Sequence, residues 1–316
     1  MHKININYQF LLVKFPIIFP IIYAFFLYRF PNHETELVVI TILLLAETHF
    51  GSTLPFLLDR SNSTHIKLNR IGLVIIPILI VILSLMGFFL INKLFLLVFF
   101  SANMYHVTRQ SFGVCKLYCK DANENKFQEI SIYIISLFFF LIGFFRFYLP
   151  IIEEKNILSL NIVIGFSFIL LCSYYLVKFK YSENFLTFLT GCLIFYPMCF
   201  VSNPVHAIIM GVTMHYTQYI YLTYNVHVLR KKNYYENNSQ FISHKLFNYL
   251  LIIFLYSFIM TALSMAGKIE NIDLSQLIII PILGQMLHFY LDSQLWQFSE
   301  KHNRDNTLLY LKKFIR

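Results

Sequence analysis

Apolar runs of about 20 residues recur along almost the whole chain, separated by short polar connections. Because ~20 helical residues with a rise of about 1.5 Å each cover a hydrocarbon core about 30 Å thick, these runs predict membrane-spanning helices. Hydrophobic residues make up 58% of the 316 positions and charged residues only 13%, a balance typical of membrane proteins. We therefore predict an all-α fold, a polytopic integral membrane helical bundle with about ten transmembrane helices.

The predicted spans cover residues 10–28, 37–58, 71–91, 94–114, 130–149, 157–177, 185–203, 204–228, 246–266 and 274–296. The longest connection, residues 229–245, is too short for a separate soluble domain, so we expect residues 1–316 to form a single transmembrane domain. The first span carries Lys14 and has no small-residue cleavage site. We interpret it as a retained helix and not as a signal peptide.

Lysine and arginine are distributed unevenly between the two sides of this arrangement. Of 25 such residues, 18 lie at the N-terminus, after the even-numbered spans and in the C-terminal tail, whereas 4 lie after odd-numbered spans and 3 inside spans. The positive-inside rule then places both termini in the cytoplasm, and we predict a multi-pass protein of a bacterial-type inner (cytoplasmic) membrane. The net charge of +9 indicates topology and contact with anionic membrane lipids, and no nucleic-acid partner is expected.

Few ionisable side chains lie deep inside the predicted spans. A charge at that depth costs about 2.5–3.5 kcal/mol on insertion scales, so each deep residue is a functional candidate. Among the acids and histidines, six residues lie deep inside spans: Glu47, Asp292, His49, His106, His215 and His288. The four histidines occupy even-numbered spans that run from outside to inside, roughly 16–21 Å below the outer surface. We predict one layer of imidazoles just cytoplasmic of the bilayer midplane.

Each deep histidine has polar neighbours three or four residues away, on the same helix face, as Thr53 is for His49. Metal-bound histidines donate their second ring N–H to an acceptor, and the residues predicted to support the catalytic site in this way are Glu47, Gln110, Gln218 and Asp292. The alternative is that these polar side chains only join helices through hydrogen bonds. Equal depth favours a shared metal site, with four predicted ligands: His49, His106, His215 and His288.

Imidazole-rich coordination suits iron, zinc or copper and does not suit magnesium or calcium, which prefer oxygen. Two haems stacked across a bilayer would need histidines at two depths, and only one depth is populated. Diiron membrane desaturases carry more histidines, in HxxxH and HxxHH clusters that no predicted span contains. A mononuclear site is therefore predicted, with iron, zinc or copper as its cofactor.

Three short stretches carry a resemblance to a known family: THFG at 48–51, HVTRQSF at 106–112 and HFYLD at 288–292. They resemble the histidine motifs of the Brp/Blh family of membrane β-carotene 15,15′-dioxygenases. The resemblance implies an all-helical enzyme that binds non-haem iron and cleaves β-carotene to two retinals, with His49, His106 and His288 at family histidine positions. This chain lacks an early HGALD-like motif and has Gln110 where the family has a second histidine. The substrate therefore stays open between a carotenoid and another apolar lipid.

Two other functions remain open. A zinc-dependent intramembrane lipid hydrolase would use metal-bound water with Ser52 and Asp292, although such families usually have seven spans. A proton-coupled membrane transporter would use Glu47, Asp292 and the histidines as a relay near the midplane. The preferred prediction is a non-haem iron dioxygenase whose partners are O₂, an apolar lipid or carotenoid substrate and the surrounding membrane lipids.

Overall fold

The computed structural model describes residues 7–59, 62–234, 239–267 and 275–315, and within these ranges the regular elements are helices. The all-α prediction is confirmed for this part of the chain. The α-helices are α1 (Ile18–Arg29), α2 (Glu34–Thr41), α3 (Glu47–Leu57), α4 (Ser63–Leu68), α5 (Ile76–Leu90), α6 (Asn92–Tyr118), α7 (Ala122–Gly143), α8 (Ile157–Phe179), α9 (Glu183–Leu193), α10 (Pro204–Tyr234), α11 (Ser239–Ala266), α12 (Ile279–Leu295), α13 (Lys301–Asn303) and α14 (Leu309–Ile315).

Short π- and 3₁₀-helical pieces extend or connect these helices. The π-helical segments are Phe10–Lys14, Ile42–Ala46, Ile71–Ile75, Phe144–Tyr148 and Arg304–Leu308, and the 3₁₀ segments are Pro31–His33, Glu154–Asn156, Tyr196–Cys199 and Ser275–Ile278. Single π-helical turns often occur next to functional sites. The π-helical segment Ile42–Ala46 ends directly before Glu47, the first residue of α3, which also carries His49.

Within the described ranges, five helical runs are long and apolar enough to cross a membrane: Pro31–Leu57, Ile71–Leu90, Ala122–Tyr148, Ile157–Phe179 and Leu246–Ala266. These correspond to predicted spans two, three, five, six and nine, and they are the helices of a multi-pass membrane protein. The other five spans stay predictions, and the tenth begins at a residue outside the described ranges. Helices α6 and α10 contain 27 and 31 residues but are too polar to qualify by composition.

Two predicted spans are interrupted in the structure. In the first, the π-helical segment ends before Pro16 and α1 begins at Ile18, because proline has no N–H to continue a helical hydrogen-bond ladder. In the seventh, α9 ends at Leu193 and a 3₁₀ turn with Pro197 follows. The 11 residues of α9 cover about 16 Å, which is less than the hydrocarbon thickness.

The chain divides into two compact units, each built from two segments. The first unit comprises Met1–Val38 and Val107–Gln218, and the second comprises Val39–His106 and Tyr219–Arg316. Helices α6 and α10 each contribute residues to both units. The single transmembrane domain stays a prediction.

In the first unit, the N-terminal π-helical segment is held by polar side chains. Gln218 Nε2 donates to the carbonyl of Val13 over 2.7 Å, and Thr190 Oγ1 donates to the carbonyl of Lys14 over 3.1 Å. The buried Lys14 ammonium pairs with Glu183 at 2.5 Å. Gln218, predicted to support a ligating histidine, therefore uses its amide N–H to anchor this segment.

In the second unit, α3 packs against α11 and α12, and α12 also packs against α5. Gly51 of α3 and Gly284 of α12 both lie against Tyr256 from α11. An added Cβ would meet a ring carbon at 2.7 Å at Gly51 and the hydroxyl oxygen at 2.6 Å at Gly284. Such close approach is available to glycine because it has no side chain. The outward face of α5 exposes large apolar side chains, including Ile78, Ile82 and Leu83, as expected for contact with lipid.

Candidate metal centre

Four helices of the second unit bring polar side chains to one buried place. Helix α3 supplies His49 and Thr53, which are four residues apart and so share a helix face. Helix α12 supplies His288 and Asp292 at the same spacing, α6 supplies His106 and α10 supplies Tyr219. All six side chains are buried, with His288 at 2% and Asp292 at 1% exposure.

His106, His288 and Asp292 offer three ligand atoms to one small volume. The Nε2 atoms of His106 and His288 are 3.2 Å apart, and Asp292 Oδ2 lies 3.6 Å from His288 Nε2. Their ligand atoms all lie within 4.8 Å of one another. Because metal–nitrogen and metal–oxygen bonds are about 2.0–2.2 Å long, one ion between these atoms could bind all three side chains.

His49 joins the same group of rings. Its ring centroid is 4.4 Å from that of His288 and 6.5 Å from that of His106, with the His49 and His288 rings inclined at 70°. The structure thus brings together three of the four predicted histidine ligands within the second unit. His215 is also buried, but it belongs to the first unit, and its part in a four-histidine site stays a prediction.

A hydrogen-bond network surrounds the carboxylate of Asp292. Tyr219 donates its phenolic O–H to Asp292 Oδ1 over 2.6 Å, and Thr53 Oγ1 lies 3.1 Å from the same oxygen. Thr53 Oγ1 also lies 2.9 Å from the Tyr219 oxygen and 2.7 Å from Nδ1 of His288. Asp292 also lies 3.6 Å from His288 Nε2, where a ligand would be, and its predicted support of a ligating histidine stays a prediction.

Aromatic side chains also pack against the histidine group. The Phe50 ring is 5.0 Å from the His288 ring, and the Phe289 ring is 4.8 Å from the His106 ring. Phe99 extends this surface, with its centroid 6.1 Å from that of Phe289. The site therefore has both hydrogen-bonding and aromatic neighbours, and its burial keeps bulk water from the ligand atoms.

The other predicted supporting residues have varied surroundings. Glu47 is buried, and its Oε1 accepts from Gln285 Nε2 at 3.4 Å. Gln110 belongs to the first unit and is half-buried on α6. The roles of Glu47, Gln110 and Gln218 as partners of ligating histidines stay predictions.

Two residues next to the histidine group, Thr53 and Tyr219, were not predicted from the sequence as site residues. Tyr219 was not a candidate, although it follows Gln218 directly and lies four residues after His215, a spacing that indicates a shared helix face. Thr53 was considered only as a neighbour of His49, whereas its hydroxyl contacts His288 and Asp292 of another helix. Its spacing from His49 was the available signal.

Two imidazoles and one carboxylate form a donor set that suits Fe(II) with open coordination positions, and zinc accepts the same donors. The donors fit a divalent cation because a bound cation would compensate the buried Asp292 carboxylate. No protein-family model, curated protein or solved structure matches this chain.

Proposed function

We propose that this protein is a membrane-embedded non-haem iron oxygenase that acts on a carotenoid or another long apolar lipid. The observation that carries the proposal is the buried group of His106, His288 and Asp292, whose ligand atoms lie within 4.8 Å of one another. Two histidines and one carboxylate are the donor set typical of mononuclear Fe(II) oxygenases. In this proposal Asp292 is itself a ligand, whereas the sequence-based expectation gave it the role of orienting a ligating histidine.

The residues of this chain would each have a defined task. His106 and His288 hold the ion through Nε2, and Asp292 adds a negative charge that favours a divalent cation. Bound iron would supply the one-electron and O₂ chemistry that amino-acid side chains lack. His49, whose ring packs on that of His288, is the next candidate ligand.

The aromatic neighbours of the site indicate the substrate class. The rings of Phe50, Phe99 and Phe289 form a surface that offers no hydrogen bonds and suits a polyene or prenyl chain. The resemblance of 48–51, 106–112 and 288–292 to the Brp/Blh motifs supports β-carotene as the first substrate to test. A substrate dissolved in the bilayer would enter between helices without crossing water.

The ten-span topology with cytoplasmic termini and the bacterial-type inner membrane are part of this proposal. They are supported by the asymmetric distribution of lysine and arginine. The serine available to a zinc hydrolase, Ser52, donates its hydroxyl to the carbonyl of His49 over 2.8 Å, within its own helix. Because the Ser52 hydroxyl is used within its own helix, the hydrolase is less well supported than the oxygenase.

The decisive experiment measures the metal content of the detergent-purified protein by mass spectrometry, with visible absorption to detect haem. We expect about one iron per chain and no haem band, and O₂ consumption on adding β-carotene or a shorter polyene to the Fe(II)-loaded protein. His288→Ala should lose iron and activity, while His33→Ala, a change at an exposed histidine, should lose neither. One zinc per chain without iron would contradict the oxygenase proposal and favour the hydrolase. A protein that binds neither metal would favour the transporter.

A further inference from the structure

The hydroxyl of Thr53 lies at the centre of three polar groups of the proposed metal centre. Its Oγ1 is 2.7 Å from His288 Nδ1, 2.9 Å from the Tyr219 oxygen and 3.1 Å from Asp292 Oδ1. A threonine hydroxyl has one hydrogen to donate and two lone pairs that accept. The positions of the hydrogens can therefore be worked out by elimination.

The carboxylate fixes the direction of the first two bonds. A carboxylate oxygen only accepts, so the two hydrogen bonds at Asp292 Oδ1 are donated by the O–H of Tyr219 and by the O–H of Thr53. Thr53 has then used its only hydrogen, and its short contact with His288 Nδ1 requires the ring to be the donor. His288 is thereby held with its hydrogen on Nδ1 and a lone pair on Nε2.

This tautomer is the one that a metal needs. Nε2 is the ring nitrogen that faces His106, with 3.2 Å between the two Nε2 atoms, and it lies 3.6 Å from Asp292 Oδ2. The other tautomer would point a hydrogen into the space where the ion belongs. Thr53 thus selects the ligand atom of His288, as outer partners of ligating histidines commonly do.

The same contacts determine how Asp292 offers its oxygens. Oδ1 receives two hydroxyl donors, whereas Oδ2 is the oxygen on the side of His288. An oxygen that accepts two hydrogen bonds has little capacity left for a metal bond. Asp292 would therefore bind through Oδ2 alone, which leaves one more coordination position than binding through both oxygens.

We infer that Thr53 and Tyr219 are positioning residues of the metal centre: together they make His288 bind through Nε2 and Asp292 through a single oxygen. This inference rests on the proposed metal site. The alternative is that the same hydrogen bonds only join α3, α10 and α12. A purely structural role would change stability, whereas positioning changes metal affinity and coordination number.

The test uses the full-length protein in detergent, with Fe(II) for affinity and Co(II) as an optical probe, since Co(II) d–d bands weaken as coordination number rises. Thr53→Val should weaken Fe(II) binding by ~10–100-fold, and Thr53→Ser, which keeps the hydroxyl, should restore it. Tyr219→Phe removes the shorter of the two hydrogen bonds to Oδ1 and should weaken the Co(II) bands as Asp292 binds through both oxygens. Thr187→Val and Tyr249→Phe, changes at a buried threonine and a buried tyrosine, should alter neither property.

The outcomes separate this inference from the proposed function. If the wild-type protein binds neither Fe(II) nor Co(II), the metal centre itself is wrong and this inference falls with it. If the wild type binds metal but Thr53→Val matches Thr53→Ser and Tyr219→Phe leaves the Co(II) bands unchanged, the metal centre stands and the positioning role is wrong. Should Thr53→Val fail to fold, the nearly isosteric Tyr219→Phe decides alone, and an unchanged Co(II) spectrum overturns the inference.

Discussion

His106 and His288 meet through their Nε2 atoms at 3.2 Å, although they lie 182 positions apart in the sequence. A hydrogen on one Nε2 points to the lone pair of the other, and a metal ion bound by both side chains would take the place of that hydrogen. The pair connects the second-unit part of α6 with α12. This pair of histidines is the core of the proposed metal centre.

We predict that His106→Ala and His215→Ala each abolish iron binding and O₂ consumption. His106 contributes to the three-ligand group, and His215 is the remaining histidine of the sequence-based ligand prediction. Iron per chain, measured after desalting, is the readout, with the exposed-site variant His33→Ala as the control. Full iron retention in His215→Ala would reduce the site to the residues of the second unit.

We predict that Asp292→Asn weakens metal affinity by ~10–100-fold without unfolding the protein. Asparagine keeps the size of the side chain and can still accept from Tyr219, but it lacks the negative charge. A chelator competition titration measures the affinity, and the midpoint of heat-induced unfolding checks the fold. An affinity equal to that of the wild type would remove Asp292 from the centre.

We predict that reporter fusions placed within residues 229–245 and at the C-terminus both report the cytoplasm. The reason is the excess of lysine and arginine on that side, 18 against 4. Alkaline phosphatase and fluorescent-protein fusions give complementary signals. An external signal at either position would contradict the ten-span topology.

We predict that Gly211→Ala strongly destabilises the first unit. A Cβ at this position would lie 1.7 Å from the backbone oxygen of Ile194, and backbone atoms cannot move aside cheaply. Overpacking of this kind typically costs about 1–3 kcal/mol or more. Gly165→Ala is the matched control, because no atom lies within 4 Å of its added Cβ, and it should be neutral or stabilising by about 0.4–1 kcal/mol. Equal unfolding midpoints for the two variants would contradict the close approach.

We predict that the attachment of the C-terminal segment weakens at acidic pH. His302 bonds Asn62 Oδ1 through Nε2 at 2.7 Å and accepts from Asn306 Nδ2 at 3.2 Å. Burial, with the neighbouring His65 ring and Arg230, lowers the pKa of His302 below its ordinary value of 6.5. A lowered histidine pKa means that the stabilisation is present above about pH 6.5 and is lost as the pH falls towards the folded-state pKa.

The check is the unfolding midpoint between pH 8 and pH 5. His302→Gln should flatten the acid loss relative to the wild type, because glutamine does not titrate in this range. His33→Gln, at an exposed histidine, should leave the pH profile unchanged. An identical acid loss in His302→Gln would assign the effect to other groups.

The sequence by itself determined the helical class, the membrane environment and the identity of the deep polar residues. Apolar run length and charge distribution predict spans without any knowledge of helix neighbours, and residue spacing predicted the shared face of His288 and Asp292. These are properties of one helix at a time. Pro16 and Pro197 are visible in the sequence, but only the structure shows that the helices of spans one and seven are interrupted there.

Only the tertiary structure decided which helix faces meet. Periodicity gives the depth and face of a side chain, whereas helix rotation and lateral neighbours depend on the packing of many side chains at once. Thr53 is the clearest case: its spacing pointed to His49, and packing placed its hydroxyl 2.7 Å from His288. Tyr219 gained its role in the same way, since its bond to Asp292 exists only because α10 and α12 bring the two side chains together.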